Sequence, residues 1–282
     1  MLHSWFFWNL LVAAATAVLW LLVAYALSFV TKRHATIDIF WSSGFSVIYG
    51  VSLLTAAHHC GTGFTVFGAT GAPLTRLLVA IALVAWSLRL SIYLAIRQRG
   101  HGEDSRYVWI MKGARGRNPH LYALTKIYSL QMALMWFISI PLQTIATART
   151  SVTALGIIGA GVMAIGLGTE AVGDAQLRAF LKNPANAGTT MRSGLWRYTR
   201  HPNYFGDAVL WWGIYAAAAS TGLGALSVLS PLAMTRLLTS ISGKPLLEAK
   251  LTKTRAGYDE YVATTSGFLP RRPKAPSGLV EG

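Results

Sequence analysis

Long apolar stretches separated by short polar ones run through the chain from one end to the other. Seven blocks stand out, at residues 5–30, 37–57, 74–96, 127–148, 151–172, 204–220 and 222–241. Most reach the ~20 residues an α-helix needs to cross ~30 Å of hydrocarbon. The pattern therefore predicts an all-α, polytopic membrane bundle of about seven transmembrane helices. The sixth block is short and carries Asp207 near its start, which makes its limits the least sharply drawn. The first block has neither a basic leader nor a small-residue cleavage site, so it reads as a retained span and not as a signal peptide. No internal repeat, low-complexity tract or long linker interrupts the series. One membrane domain over residues 1–282 is expected, with 271–282 as a flexible tail.

Basic residues give the series a direction. Lys32 and Arg33 lie in the first loop. Arg97, Arg99, Arg106, Lys112, Arg115, Arg117 and Lys126 lie in the third, and Arg178, Lys182, Arg192, Arg197 and Arg200 in the fifth. The tail adds Lys244, Lys250, Lys253, Arg255, Arg271, Arg272 and Lys274, whereas the second and sixth loops have none and the fourth has only Arg149. Under the positive-inside rule this alternation sets the N-terminus outside and the C-terminus in the cytoplasm, as in a bacterial inner membrane.

Composition agrees and narrows the options. Only 12% of residues are charged and 53% are hydrophobic, which excludes a disordered chain. The net charge of +15 invites a nucleic-acid reading. The cations, however, sit in the loops where topology alone calls for them, so no nucleic-acid role is expected. A single cysteine, Cys60, allows neither an intramolecular disulfide nor a cysteine zinc cluster.

With ten acidic residues in all, each can be weighed. Asp38 lies at the head of the second span, where a carboxylate either snorkels to the interface or faces a cavity. Glu170, Asp174, Arg178 and Lys182 recur at every fourth position and so line one stripe of a helix. Such a stripe is either a ladder of weak ion pairs or a polar wall. As a wall, its acidic end suits a carboxamide or ribose and its basic end suits phosphates. The stripe starts inside apolar sequence, which favours the wall. The run Arg197-Tyr198-Thr199-Arg200-His201-Pro202-Asn203-Tyr204-Phe205-Gly206-Asp207 is the most informative stretch. Pro202 keeps His201 out of the helical region. Asn203 is then expected to cap the next helix, whose N-terminus suits an anion. Arg197 and Arg200 supply guanidiniums that grip phosphate, and His201 is a phosphate or substrate contact or a structural hydrogen-bonder. Tyr258 and Tyr261, beside Lys250, Lys253 and Arg255, belong either to a lid over the same face or to a helix on the membrane surface. No P-loop, dinucleotide GxGxxG, HExxH or nucleophile elbow is present, so any nucleotide cofactor must sit among helix ends and loops.

The segment 166–270 resembles the C-terminal part of the steroid 5α-reductase superfamily, close to a bacterial branch known as a domain of unknown function (DUF1295) and more distantly to the sterol Δ14/Δ7-reductases. The resemblance rests on Gly194-Leu195-Trp196, on Arg200-His201-Pro202-Asn203-Tyr204-Phe205-Gly206-Asp207, on Asp174 with Arg178, and on Tyr258-Asp259-Glu260-Tyr261 before Phe268-Leu269-Pro270. It implies NADPH held at the cytoplasmic ends of the later helices, and hydride transfer to a conjugated C=C bond of a lipid. It gives cofactor-contact roles to Asp174, Arg178 and Asn203, with Asp207 one turn later and Glu170 near the nicotinamide. Steroid reductases polarise the substrate ketone with a glutamate on the second span and a tyrosine on the third. The nearest counterparts are Asp38, as a protonated hydrogen-bond donor, and Tyr93.

The leading expectation is thus a membrane NADPH-dependent ene-reductase acting on a lipid-like enone. An S-adenosylmethionine-dependent methyltransferase of the isoprenylcysteine or phospholipid type shares the His-Pro-x-Tyr loop. It typically carries a paired Glu-Glu, where Glu248 here stands before Ala249. A non-enzymatic lipid-binding membrane protein would leave the acidic stripe and the 200–207 loop without a purpose.

Overall fold

A computed structural model describes residues 2–59, 73–148 and 154–275. Cys60, Arg149 and most of the second loop lie outside the described residues. Among those described there is no strand, and six helical stretches are long and apolar enough to cross a membrane: Trp5–Thr31, Thr36–His58, Leu74–Gln98, Pro119–Ile138, Ala154–Lys182 and Leu223–Thr254. The chain is an all-helical integral membrane protein. It divides into two compact units, one formed by Met1–Ala160 and Ile214–Ser230, the other by Gly161–Gly213 and Pro231–Gly282.

The first unit is built on α1 (Leu2–Thr31), α2 (Thr36–His59) and α3 (Pro73–Gln98), packed in sequence order. In lipid, apolar contact alone does not hold helices together, so close packing and polar contacts between them carry more of the association. Between α2 and α3 the contact is a serine ladder: Ser42 to Ser91 at 2.9 Å and Ser46 to Ser87 at 2.7 Å. Loop three then folds into α4 (Ser105–Met111) and α5 (Pro119–Ala123), and a π-turn leads into α6 (Ser129–Ile138) and α7 (Ile140–Thr147). The fourth apolar block was expected at 127–148, but the span-length stretch is Pro119–Ile138. Pro141 cannot continue a helix through its missing N–H, and the chain breaks at Ser139 before α7. Asn9 on α1 donates to Ser52 on α2 (3.1 Å) and Gln143 on α7 (3.3 Å), tying three helices at a buried polar knot.

The second unit contains most of α8 (Ala154–Lys182) and the first two thirds of α9 (Pro202–Ala219). It also takes in most of α10 (Leu229–Arg236), with α11 (Lys244–Thr254) and α12 (Tyr258–Thr264). Two glycines set the α8–α9 crossing. A methyl group on Gly166 would lie 2.4 Å from the Leu210 nitrogen, and one on Gly206 would lie 2.5 Å from the Glu170 nitrogen. Only helices lacking side chains at the crossing come this close. The expected sixth span is the helix Pro202–Ala219, whose polar start, Asn203 and Asp207, keeps it out of the span-length apolar set. The tail was expected to be flexible from 271, yet Arg271 N donates to the Tyr198 carbonyl (2.9 Å) and Lys274 N to that of Thr264 (2.8 Å). Backbone pairing thus holds 271–274, and the rest of the expected tail, from 276, lies outside the described residues.

Candidate functional site

Two polar constellations emerge, one in each unit. In the first unit Asp38, in the opening turn of α2, accepts from both sides: Tyr107 Oη at 2.5 Å on Oδ1 and Arg106 Nη2 at 2.7 Å on Oδ2. Asp104 caps α4 and accepts from Arg106 Nε at 3.0 Å, so Arg106 joins two carboxylates. The bonds from Arg106 hold Asp104 below the usual carboxylate range although burial alone pushes it up. Burial, and then the charge of Asp38, push the Tyr107 phenol well above its ordinary value, so it stays protonated. Asp38, expected as a hydrogen-bond donor to a substrate, thus has a partner within the protein on each of its oxygens. The tyrosine bonded to it is Tyr107 of α4, where Tyr93 on α3 was expected. Sequence reasoning missed Arg106 and Tyr107. Their one local signal was Glu103-Asp104-Ser105, a helix-start pattern.

In the second unit, the α8–α9 crossing brings the two halves of the predicted site together. Glu170 and Asp174 are buried on α8, while Arg178 and Lys182 follow on the same stripe and are exposed. Across the crossing, Asn203 Nδ2 donates to Asp174 Oδ1 (3.2 Å), and Gly173 packs against Pro202 and the Asn203 nitrogen. Asp207 follows one turn later on α9, half-buried. Asn203 was expected to be the helix cap. Instead Pro202 is the first helical residue, His201 O accepts the first helical bond from Phe205 N (3.0 Å), and Asn203 sits one residue inside. The fixed φ of proline suits this first position. The Asn203 side-chain oxygen accepts from the Tyr204 nitrogen at 3.0 Å, leaving its Nδ2 to reach α8.

Arg200 and His201 face the other way. Arg200 Nε bonds Glu248 Oε1 (2.8 Å), Nη2 bonds Oε2 (3.3 Å), and Nη1 donates to the carbonyls of Val262 and Thr265. His201 Nε2 meets the same Glu248 oxygen at 2.9 Å, and its ring stacks on Tyr204 with centroids 5.2 Å apart. Burial pushes the His201 imidazole below its ordinary value, outweighing the pull of Glu248 in the opposite direction. Arg200 was expected to grip phosphate, but its guanidinium is buried and saturated by the protein. Tyr258 and Tyr261 are buried as well, and the Tyr261 hydroxyl donates to the Trp196 carbonyl. The segment after α11 is thus a strap bonded to the 188–200 loop: Ala256 N donates to Gly188 O (3.0 Å), and Arg192 pairs with Glu260 (2.9 Å). Trp196 Nε1 donates to Gly173 O (3.0 Å), anchoring that loop on α8. Arg197, by contrast, is exposed. The arrangement offers buried carboxylates and a half-buried amide at one end and exposed guanidinium and ammonium groups at the other. It suits a ligand with hydrogen-bond donors at one end and phosphates at the other. Among the described residues no cluster of three His, Cys, Asp or Glu side chains forms a metal site.

A protein-family model described as "Protein of unknown function (DUF1295)" matches residues 24–265. No curated protein sequence and no solved structure matches the chain.

Proposed function

The chain belongs to the DUF1295 family, and we propose that it is a membrane-embedded NADPH-dependent reductase that transfers hydride to a conjugated C=C bond of a steroid-like or other lipid enone. The observation that carries this reading is the α8–α9 crossing, with its Asp174–Asn203 bond at the buried end of a stripe that emerges as Arg178 and Lys182. The donor set fits the cofactor in kind. Glu170, Asp174 and Asn203 would receive the carboxamide and ribose hydroxyls. Arg178, Lys182 and Arg197 would hold the phosphates as charge-assisted partners. NADPH supplies the hydride. The residues of the chain bind and orient the cofactor and shield the buried end from water, which strengthens each polar contact made there. Similarity of the 200–207 run to the steroid 5α-reductase superfamily supports the same reading. In that reading α9, the sixth span of the series, completes a seven-span bundle with its N-terminus outside. The basic third and fifth loops then face the cytoplasm of a bacterial inner membrane.

Thermal denaturation of the detergent-solubilised protein with NADPH, NADH and S-adenosylmethionine, each titrated separately, tests the proposal. A ligand that binds only the folded state adds ~2.7 kcal/mol at 100 times its Kd. NADPH is expected to raise Tm, and Arg178→Ala or Asn203→Ala to abolish the rise. A rise with S-adenosylmethionine alone would assign the site to a methyltransferase. No rise with any of the three would leave a lipid-binding role without catalysis.

A further inference from the structure

The third loop carries a surface that the reductase reading does not use. Between Arg97 and Lys126 the only acidic residues are Glu103 and Asp104, and both are engaged by donors of the protein itself. Glu103 accepts the Ala35 N–H at 3.0 Å and the His34 N–H at the start of α2, and Asp104 is held by Arg106. Beyond them the chain presents Val108 and Trp109 to the outside, Trp109 with 73% of its surface exposed, and Leu121 from α5. Lys112, Arg115 and Arg117 stand next to them, all exposed, with Arg117 over the Tyr122 ring at 5.8 Å. An aromatic and aliphatic tip edged by three cations, with no carboxylate between Arg106 and Lys126, is complementary to one kind of surface.

The depth of this tip is fixed by bonds within the first unit. Arg106 and Tyr107 of α4 bond Asp38, which lies in the first turn of the span-length helix α2. Arg33, just before α2, donates to the carbonyls of Gln98 (2.7 Å) and His101 (2.8 Å) at the end of α3. Tyr25, near the end of α1, donates to the His120 carbonyl of α5 (3.1 Å). The segment 105–123 therefore lies at the level where three apolar helices end, which is the headgroup level of a bilayer. We infer that this segment docks on an anionic phospholipid leaflet, with Trp109 seated at the headgroup–acyl boundary and Lys112, Arg115 and Arg117 on the phosphates. This holds whatever reaction the α8–α9 crossing supports.

The full-length protein reconstituted in bilayers of phosphatidylcholine, with or without phosphatidylglycerol, tests the inference. Acyl-chain bromination of one lipid at a time makes each a quencher of tryptophan fluorescence. Brominated phosphatidylglycerol is expected to quench more than brominated phosphatidylcholine at low salt. Trp109→Phe should remove most of that difference. Neutralising Lys112, Arg115 and Arg117 to Gln should lower the relative affinity for the anionic lipid roughly fivefold per charge. Circular dichroism and an unchanged Tm would show that the variants are folded. A quenching difference that survives either change would overturn the inference. So would a photoreactive side chain introduced at position 109 that cross-links to an acidic protein and not to lipid.

Discussion

Arg200 and His201 stand three and two positions before Asn203 in one sequence motif, yet they serve opposite ends. Arg200 and His201 turn inward to Glu248 and to the carbonyls of Val262 and Thr265, and both are buried. Asn203 turns to α8, stays half-buried, and joins Asp174. Pro202 is the divide, because it ends the extended loop and starts α9. A single motif here holds the strap in place with its first half and joins α9 to the acidic stripe of α8 with its second.

That division is broken most severely at Glu248. Glu248→Ala leaves the buried Arg200 guanidinium without its carboxylate. Loss of one partner of a buried pair costs about 3–5 kcal/mol. A large drop in Tm is expected, with NADPH affinity at low temperature little changed. An unchanged Tm with lost NADPH binding would make Arg200 a ligand contact and erase the distinction. Gly206→Ala comes next. Its methyl would meet the Glu170 nitrogen and the Gly166 oxygen at 2.5 and 2.6 Å, and backbone cannot yield as a side chain does. Overpacking of this kind costs roughly 1–3 kcal/mol, and it forces α9 off α8, so NADPH binding should fall together with Tm. Retained binding at full affinity would show that the crossing does not position the site.

Much of this was legible along the chain, and what was not shares a cause. The apolar blocks gave the helices, and the four-residue spacing put Glu170, Asp174, Arg178 and Lys182 on one stripe of α8, because both are periodicities within a helix. Arg200 was misread because its partner Glu248 lies 48 positions away, and a guanidinium that will be saturated looks in sequence like one that will be free. Distance along the chain likewise hid the partners of Asp38, since Arg106 and Tyr107 lie 68 and 69 positions on. The fourth span was shifted because hydropathy does not register a backbone break, whereas Pro141 imposes one.

The smallest predicted effect sharpens the comparison on its buried side. Glu248 accepts from Nε2 of His201, so the neutral ring carries its proton there and Nδ1 lies bare, buried and without a hydrogen-bond partner. Protonation would add an N–H with no acceptor. It would also set a cation near Lys244 and beside Arg200, to which Glu248 already serves as counter-ion. The folded protein therefore binds this proton less readily than the unfolded chain, whose imidazole titrates near 6.5. Between the lowered folded value and 6.5 the unfolded state holds more protons, so stability rises with pH through that window and is level above it. One proton limits the slope to ~1.4 kcal/mol per pH unit. His201→Gln keeps a donor toward Glu248 and cannot titrate, so Tm followed from neutral to mildly acidic pH should fall less steeply in the variant. Equal slopes in the two proteins would mean that His201 is not held neutral by its surroundings. It would then belong with Asn203 among the groups open to a ligand.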